Sequence, residues 1–155
     1  MQLTLITIGR TRVKPVRALI EGYCERLSHY ARFKHVVVPD GQKGTRDSVR
    51  AQQSQALLQA VPSRAKIVIL DERGRSWTSE ALAKQIDRDA LHGDSHWALL
   101  IGGAEGHDPA LREQADYLWS LSDLTLPHDL ATIVVVEQLY RAMTILRGEP
   151  YHRGD

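Results

Sequence analysis

The sequence predicts an α/β fold in which a mainly parallel β-sheet is covered by helices. Short apolar runs typical of strands alternate with segments whose apolar residues recur at helical spacing. The run Ile67–Leu70 is continuous and β-branched, as expected of a strand buried on both faces of a parallel sheet. Two later strands end in glycine-rich or polar loops, and open α/β sheets bind their ligands at such strand ends.

Five strands are expected. Each is a short apolar run that ends at a glycine, a proline or polar residues. In chain order the runs are Leu3–Ile8, Val36–Val38, Ile67–Leu70, Ala98–Ile101 and Tyr117–Leu121. The charged segment Asp71–Ser76, which follows the third run, is expected to form a loop.

Capping residues and proline mark the helices between the strands. A proline suits a first helical turn, and side chains of Ser, Thr and Asp accept hydrogen bonds from the free N–H groups there. The expected helix starts are Pro15, Asp47 or Ser48, Thr78 or Ser79, and Asp108, the last for a helix over Pro109–Ala115. A polar and basic loop, Gln42–Arg46, is expected before the second helix.

The segment His128–Arg147 is predicted to form the last helix. Ile133–Val136 has strand propensity, so a strand there is the alternative. A helix is favoured because Glu137, Arg141 and Thr144 lie at i, i+4 and i+7, which gives one polar stripe on an otherwise apolar helix. Such a helix must bury more than one face, which one small domain can hardly provide.

Length and composition indicate one globular domain over residues 1–155. Apolar residues make up 43% and charged residues 25%, the balance of a soluble protein. The lone Cys24 excludes an internal disulfide and suits a reducing compartment. Gln2–Ile8 is too short for a signal peptide, and no run approaches a membrane span. A cytoplasmic protein is therefore expected.

Positive charge is concentrated in the first part of the chain. Residues 1–60 carry ten Lys or Arg against four Asp or Glu, whereas residues 61–155 carry ten against fifteen. A basic half can supply the phosphate-facing surface for a nucleic acid. From charge alone, a solvated helix face explains the same asymmetry.

Two loops after the last strands are candidates for a ligand site. Glycines in Gly102–Gly106 allow a backbone to approach a ligand with free N–H groups, although a plain tight turn is the alternative. Glu105 at the mouth of the crevice favours a functional site. The segment Leu121–Pro127 can wrap an adenine with its backbone and leucines, or can simply be an irregular core loop.

Other chemistries find little support in the sequence. Ser122, His128 and Asp129 lack the G-x-S-x-G turn of a hydrolase nucleophile. The histidines show no zinc-ligand spacing, so no metal is expected. The end of the chain, Tyr151–Arg153, is expected to fray on the residues alone, although tyrosine and arginine also suit an unpaired RNA base.

Taken together, several motifs resemble the RlmH family. They are Leu70-Asp71-x-x-Gly74, Ile101–Gly106, Leu124–His128, Glu137–Ala142 and Tyr151–Arg153, with Ile8-Gly9 and Glu21–Leu27 near the start. The likeness covers essentially the whole chain. Members of this family are small SPOUT-class methyltransferases that act on N3 of a pseudouridine in large-subunit (23S) ribosomal RNA.

The resemblance implies a C-terminal trefoil knot, a homodimer, and S-adenosylmethionine held in the knot near the subunit interface. It implies that the tail reaches the active site, which reverses the expectation of fraying. The chain departs from the family at Ala104, where proline is frequent, and in an extra Gly154-Asp155 that adds a negative charge. Carried over to this chain, the cofactor-binding residues are Leu70, Gly102, Gly103, Leu121, Ser122, Asp123, Leu124, Thr125 and Leu126.

The resemblance and the chemistry of methyl transfer together suggest roles for further residues. Arg141, held by Glu137, is expected to stabilise the anion formed when the imide proton leaves. Glu105 or His152 is expected to accept that proton. The residues expected to contact RNA, in the large subunit or the assembled ribosome, are Arg10, Arg12, Lys14, Tyr151 and Arg153.

Two other functions stay open at this point. One is a non-catalytic protein that binds RNA or the ribosome through the basic half and uses no cofactor. The other is a SPOUT methyltransferase that acts on transfer RNA. Stabilisation by S-adenosylmethionine separates the first from an enzyme, because a ligand that binds only the native state must raise its stability.

Overall fold

The computed structural model describes residues 1–41 and 43–153, in which strands and helices alternate. Among these residues no helix is long and apolar enough to cross a bilayer. The strands are β1 (Gln2–Ile8), β2 (Arg32–Val38), β3 (Lys66–Arg75), β4 (His96–Ile101) and β5 (Tyr117–Trp119). The helices are α1 (Lys14–Ser28), α2 (Arg46–Gln59), α3 (Ser79–Leu91), α4 (Pro109–Arg112) and α5 (His128–Leu146), followed by a 3₁₀ helix over Pro150–Arg153.

The strands form one sheet in the order β2-β1-β4-β3-β5, and every neighbouring pair is parallel. The predicted helix-covered parallel sheet is therefore confirmed. Parallel pairing brings the carboxyl ends of all five strands to the same edge of the sheet. Because β4 lies between β1 and β3, the loops after these three strands are neighbours at that edge.

Helices cover both faces of the sheet. Alternate residues of β4 divide between two cores: Leu99 belongs to the core that includes α1, α3 and α5, and Leu100 to the core under α2 and α4. Both side chains are fully buried, as are Leu5 and Ile6 on the two faces of β1. Side chains of a strand point alternately to the two faces of the sheet, and here both faces are buried. This explains why the strands appear as continuous apolar runs in the sequence.

The third strand is longer than predicted. Asp71–Ser76 was expected to form a loop, but β3 continues to Arg75. After a break in register beyond Leu70, Arg75 pairs with Trp119 of β5, which ends there and not at Leu121. The extension of β3 depends on pairing with a strand that is distant in the sequence. For this reason, the charged residues of the segment itself do not indicate a strand.

Two helix ends also differ from the prediction. Thr45, not Asp47 or Ser48, caps α2, because its extended backbone lets its hydroxyl accept a hydrogen bond from the Ser48 N–H at 3.2 Å. The predicted loop over residues 42–46 is correspondingly shorter, and Gln42 lies outside the described residues. Helix α4 ends at Arg112 and not at the predicted Ala115. The predicted caps of α3 and α4, Thr78 and Asp108, are confirmed.

The last helix is confirmed as a helix, although its polar stripe is shorter than predicted. Glu137 and Arg141 pair on it, but Thr144 is fully buried and donates a hydrogen bond to the Arg141 carbonyl at 2.7 Å. Helix α5 packs against both α1 and α3. Leu130 in its first turn is 46% exposed and Leu146 at its end is 39% exposed, so two apolar positions of the helix remain uncovered in a single chain.

Replacing Gly74 with alanine is expected to destabilise the protein. A Cβ there would lie 2.6 Å from the backbone carbon and oxygen of Leu118, which β3–β5 pairing holds in place. Such overpacking lowers the free energy of unfolding by about 1–3 kcal/mol, measured by denaturant unfolding. The matched control is Gly22→Ala in α1, where nothing lies within 4 Å, and helix propensity should add about 0.5–1 kcal/mol. Equal stability of the two variants would contradict this account of the β3 extension.

Candidate active site

A cavity of about 780 Å³ opens at the carboxyl ends of β3, β4 and β5. Its walls are the end of β3 from Leu70 to Arg73, the glycine-rich loop from Ile101 to His107, and the segment from Leu121 to His128. This edge is where open parallel sheets bind ligands, and the volume suits a molecule of cofactor size.

Most of the predicted cofactor-binding residues lie together in this cavity. Asp123 is the one residue of that set that is not part of the lining. Leu124 is 74% exposed, so its side chain is free to cover a bound ring. The residues of the set that line the cavity are Leu70, Gly102, Gly103, Leu121, Ser122, Leu124, Thr125 and Leu126.

The glycines of the loop after β4 are required by what lies behind them. A Cβ at Gly102 would lie 3.0 Å from Cε1 of His107, and one at Gly103 would lie 2.7 Å from Oε1 of Gln53. Gln53 has little freedom to move, because its Nε2 donates to Asp40 at 2.9 Å. In the sequence, the glycines indicated that a ligand could approach the backbone closely. The structure adds a second reason, because the side chains of His107 and Gln53 leave no room for a Cβ at these positions.

His107 is a buried residue of the cavity wall that sequence reasoning did not single out. Its Nε2 donates a hydrogen bond to the Leu70 carbonyl at 3.1 Å, and its own carbonyl accepts one from Arg112 at 2.7 Å. Arg112 in turn lies 3.6 Å from the Asp71 carboxylate. These contacts fasten the glycine-rich loop to the end of β3, so two walls of the cavity keep a fixed separation.

Burial lowers the pKa of His107 below its ordinary value. Asp71 opposes this effect and Arg112 adds to it, since they carry opposite charges. A carbonyl can only accept, so the neutral ring carries its proton on Nε2. Its Nδ1 is then a buried acceptor without a partner among the described residues.

Glu105 also lines the cavity, but it is already paired. Its Oε2 accepts a hydrogen bond from Nε of Arg46 at 2.6 Å, and this contact raises the pKa of Arg46. The Arg46 side chain is 85% exposed. A pair in such contact with solvent contributes little free energy, so the predicted proton acceptor can exchange Arg46 for another partner.

The other two predicted catalytic residues, Arg141 and His152, lie in a second group of side chains. This group, here called the tail cluster, consists of Glu137, Arg141, Tyr151 and His152. Arg141 donates from Nε and Nη2 to Oε1 of Glu137 at 3.0 and 2.6 Å. The Tyr151 hydroxyl donates to the same oxygen at 2.9 Å, and the Arg141 guanidinium lies 4.7 Å from the Tyr151 ring centre. An arginine is charged at any ordinary pH, and the Glu137 hydrogen bond raises the pKa of Arg141 further.

The end of the chain is fixed through residue 153. The expectation of fraying, based on the residues alone, is wrong, because Pro150–Arg153 forms a 3₁₀ helix packed on α5. His152 Nε2 lies 2.8 Å from the Glu80 carboxylate, and the hydroxyls of Tyr151 and Tyr23 are 3.2 Å apart. Gly154 and Asp155, whose charge departs from the family pattern, lie outside the described residues.

The cavity and the tail cluster are separate within one chain. His128 borders the cavity, and Arg141 lies thirteen residues further along the same helix, roughly 20 Å away at 1.5 Å per residue. Arg141, Tyr151 and His152 are absent from the described lining of the cavity. The structure therefore brings Glu105 to the predicted cofactor residues but leaves Arg141 and His152 elsewhere.

The predicted RNA-contacting loop lies at the same edge of the sheet as the cavity. It follows β1, which is the direct neighbour of β4. Arg10, Arg12 and Lys14 are all exposed. The described part of the chain contains no group of three or more His, Cys, Asp or Glu side chains placed to hold a metal ion.

Comparison with known proteins identifies the family to which this chain belongs. The chain matches the family described as "Predicted SPOUT methyltransferase" over residues 1–152. It therefore belongs to the SPOUT methyltransferases, as the resemblance in the sequence indicated.

Three similar proteins share one name. The protein called "Ribosomal RNA large subunit methyltransferase H" from Deinococcus radiodurans is 44% identical over 156 residues, which is 99% of this chain and 100% of the relative. The proteins of the same name from Anaeromyxobacter sp. strain Fw109-5 and Brucella anthropi are 44% and 40% identical, again over 99% of this chain and 100% of each relative.

Replacing His107 with glutamine is expected to reduce the loss of stability in acid. The folded-state pKa of His107 lies below its unfolded value of about 6.5, so only the unfolded chain gains this proton as the pH first falls. The contribution of the neutral His107 ring to the free energy of unfolding is complete above the unfolded pKa. It is lost as the pH falls below that value, by at most about 1.4 kcal/mol per pH unit. The glutamine side chain of the variant does not titrate but retains a donor for the Leu70 carbonyl.

The measurement is denaturant unfolding of both proteins at a series of pH values between about 7.5 and 5. Burial also lowers the pKa values of His35 and His96, but these residues contribute equally to both proteins. The difference between the two curves therefore isolates His107, and parallel curves would show that it is not held neutral by burial.

Proposed function

We propose that the chain is a single SPOUT methyltransferase domain that methylates N3 of a pseudouridine in 23S ribosomal RNA, with S-adenosylmethionine as the methyl donor. The observation that carries this proposal is the cavity at the strand ends, which eight of the nine predicted cofactor-binding residues line. Membership of the family and the common name of the relatives support it. Such an enzyme acts in the cytoplasm, where ribosomes are assembled.

The chemistry of the cavity fits this cofactor. Leu70, Leu121 and Leu124 supply apolar surface for an adenine, and the glycine-rich loop supplies backbone groups that no side chain covers. When bound, S-adenosylmethionine supplies an activated methyl group on a positively charged sulfur. We propose that the segment after β5 forms the trefoil knot of the family around it.

A second copy of the chain would complete the site. A separation of roughly 20 Å along α5 keeps Arg141 of one chain from the cavity of the same chain. In a homodimer, the tail cluster of one subunit can face the cavity of the other. The exposed Leu130 on α5 provides apolar surface for such contact, because an uncovered apolar position on a helix is stabilised by burial against a partner.

Within that composite site, each charged residue has a distinct task. Arg141 stabilises the negative charge that develops on the uracil carbonyl oxygens as the N3 proton leaves. His152 or Glu105 accepts the proton, and both are already oriented by a charged neighbour, Glu80 or Arg46. Arg153 and the loop after β1 contact phosphates, while the Tyr151 ring stacks on a base.

Replacing Arg141 with alanine is expected to reduce methyl transfer by about 10²–10³-fold, because one preorganised charge is lost from the developing anion. The affinity for S-adenosylmethionine should change little, since Arg141 does not line the cavity of its own chain. Transfer of a radiolabelled methyl group to ribosomes from a strain lacking the gene measures the first quantity, and calorimetry measures the second. The control is Arg141→Lys, which keeps the charge without the paired hydrogen bonds to Glu137.

Mixing two inactive variants tests whether the site is shared between subunits. Arg141→Ala retains the cavity, and Gly103→Val damages the cavity but retains the tail cluster. If subunits exchange at random, half of the dimers are mixed and each holds one intact site, so about a quarter of the activity should return. No recovery would contradict a shared site. Absence of cofactor binding by the unaltered protein, or methylation of transfer RNA but not of ribosomes, would contradict the proposed function itself.

A further inference from the structure

One carboxylate oxygen links the loop after β1 to the wall of the cavity. Oδ1 of Asp129 accepts a hydrogen bond from the Thr11 hydroxyl at 3.0 Å and another from Nδ1 of His128 at 3.1 Å. Thr11 belongs to the loop that carries Arg10 and Arg12 and leads into α1 at Lys14, whereas His128 lines the cavity. The two partners of Asp129 thus belong to the two parts of the site that must act on one substrate.

The loop is held at a second point. Arg17, one turn into α1, donates from Nε to the Thr11 carbonyl at 3.1 Å. Thr11 is therefore fixed through both its side chain and its backbone, while its basic neighbours remain exposed. None of the ion pairs found among the described residues involves these neighbours. This arrangement keeps the backbone in place and leaves the cations available for phosphates.

Helix capping does not account for Asp129. It lies in the first turn of α5, where a negative charge is favourable, but the residue at the cap position is Pro127 and makes no side-chain cap. The hydrogen bonds found for the Asp129 carboxylate go to Thr11 and His128, not to free N–H groups of the helix. Its side chain is 31% exposed, so these contacts are partly shielded from water.

We propose that Asp129 is a positioning residue for the RNA substrate. It fixes the loop after β1 against the rim of the cavity, so that Arg10, Arg12 and Lys14 meet phosphates next to the nucleotide that receives the methyl group. This inference rests on the proposed function. It assigns no chemical step to Asp129, which acts through Thr11 and His128.

The test compares Thr11→Val with Thr11→Ser. Valine has the shape of threonine but cannot donate to Asp129, whereas serine keeps the hydroxyl. With ribosomes from a strain lacking the gene as substrate, Thr11→Val should raise KM for ribosomes roughly tenfold, because a hydrogen bond to a carboxylate is lost. Thr11→Ser should stay within about twofold of the unaltered protein. Both variants should keep their melting temperature and their affinity for S-adenosylmethionine.

The salt dependence of KM supplies a readout that a purely structural role would not move. Each phosphate contact contributes about 0.7–0.9 to the slope of log KM against log salt concentration, so a displaced loop should make the slope shallower by about one contact or more. Asp129→Ala should show the same KM defect as Thr11→Val. The double variant should be no worse than either single variant, because both remove one interaction.

Three results would overturn the inference: equal KM values for Thr11→Val and Thr11→Ser, an unchanged salt slope in Thr11→Val, or fully additive defects in the double variant. These outcomes leave methylation by the unaltered protein intact, so they differ from a failure of the proposed function. In that second case the unaltered protein itself would transfer no methyl group to ribosomes.

Discussion

Parallel pairing of β4 with both β1 and β3 is the constraint on which the rest of the structure depends. It places three segments side by side at one edge of the sheet: the basic loop after β1, the charged part of β3 that follows Leu70, and the glycine-rich loop after β4. If β4 ran antiparallel to β1 and β3, its glycine-rich loop would lie at the opposite edge from the other two segments. The cavity follows directly from this pairing.

Hydrogen bonds of buried and partly buried side chains then fix the loops relative to one another. His107 joins the glycine-rich loop to Leu70, and Asp129 joins the basic loop to the rim of the cavity. Loops alone are mobile, and a site that aligns two reacting atoms needs them held within fractions of an ångström. The polar residues that sequence reasoning passed over therefore explain the geometry of the residues that it selected.

Helix α5 lies between the cavity and the tail cluster. Its start borders the cavity, whereas Arg141 lies near its other end and anchors the tail through Glu137 and Tyr151. A rigid helix cannot bring both ends to one methyl group, so the proposed mechanism requires a second subunit. The same helix carries an exposed apolar position suited to such a partner.

Local patterns in the sequence were sufficient for the sheet and most helix starts, whereas the predicted cofactor-binding set came from the family resemblance. Strand runs and caps are determined by residues close in the chain, as with Asp108 at the start of α4. The extension of β3, the burial of Thr144 and the role of Asp129 depend on contacts between distant segments; Thr11 and Asp129 are 118 residues apart. The family resemblance supplied roles for the tail but not its position on α5.

A crystal structure of the protein with S-adenosylhomocysteine tests the central claim most directly. The account predicts the ligand between Leu70, the glycine-rich loop and residues 121–126, with Arg141 of the partner subunit nearer to the sulfur than the Arg141 of the same chain. A ligand bound elsewhere, or a monomer whose own Arg141 reaches the sulfur, would contradict it.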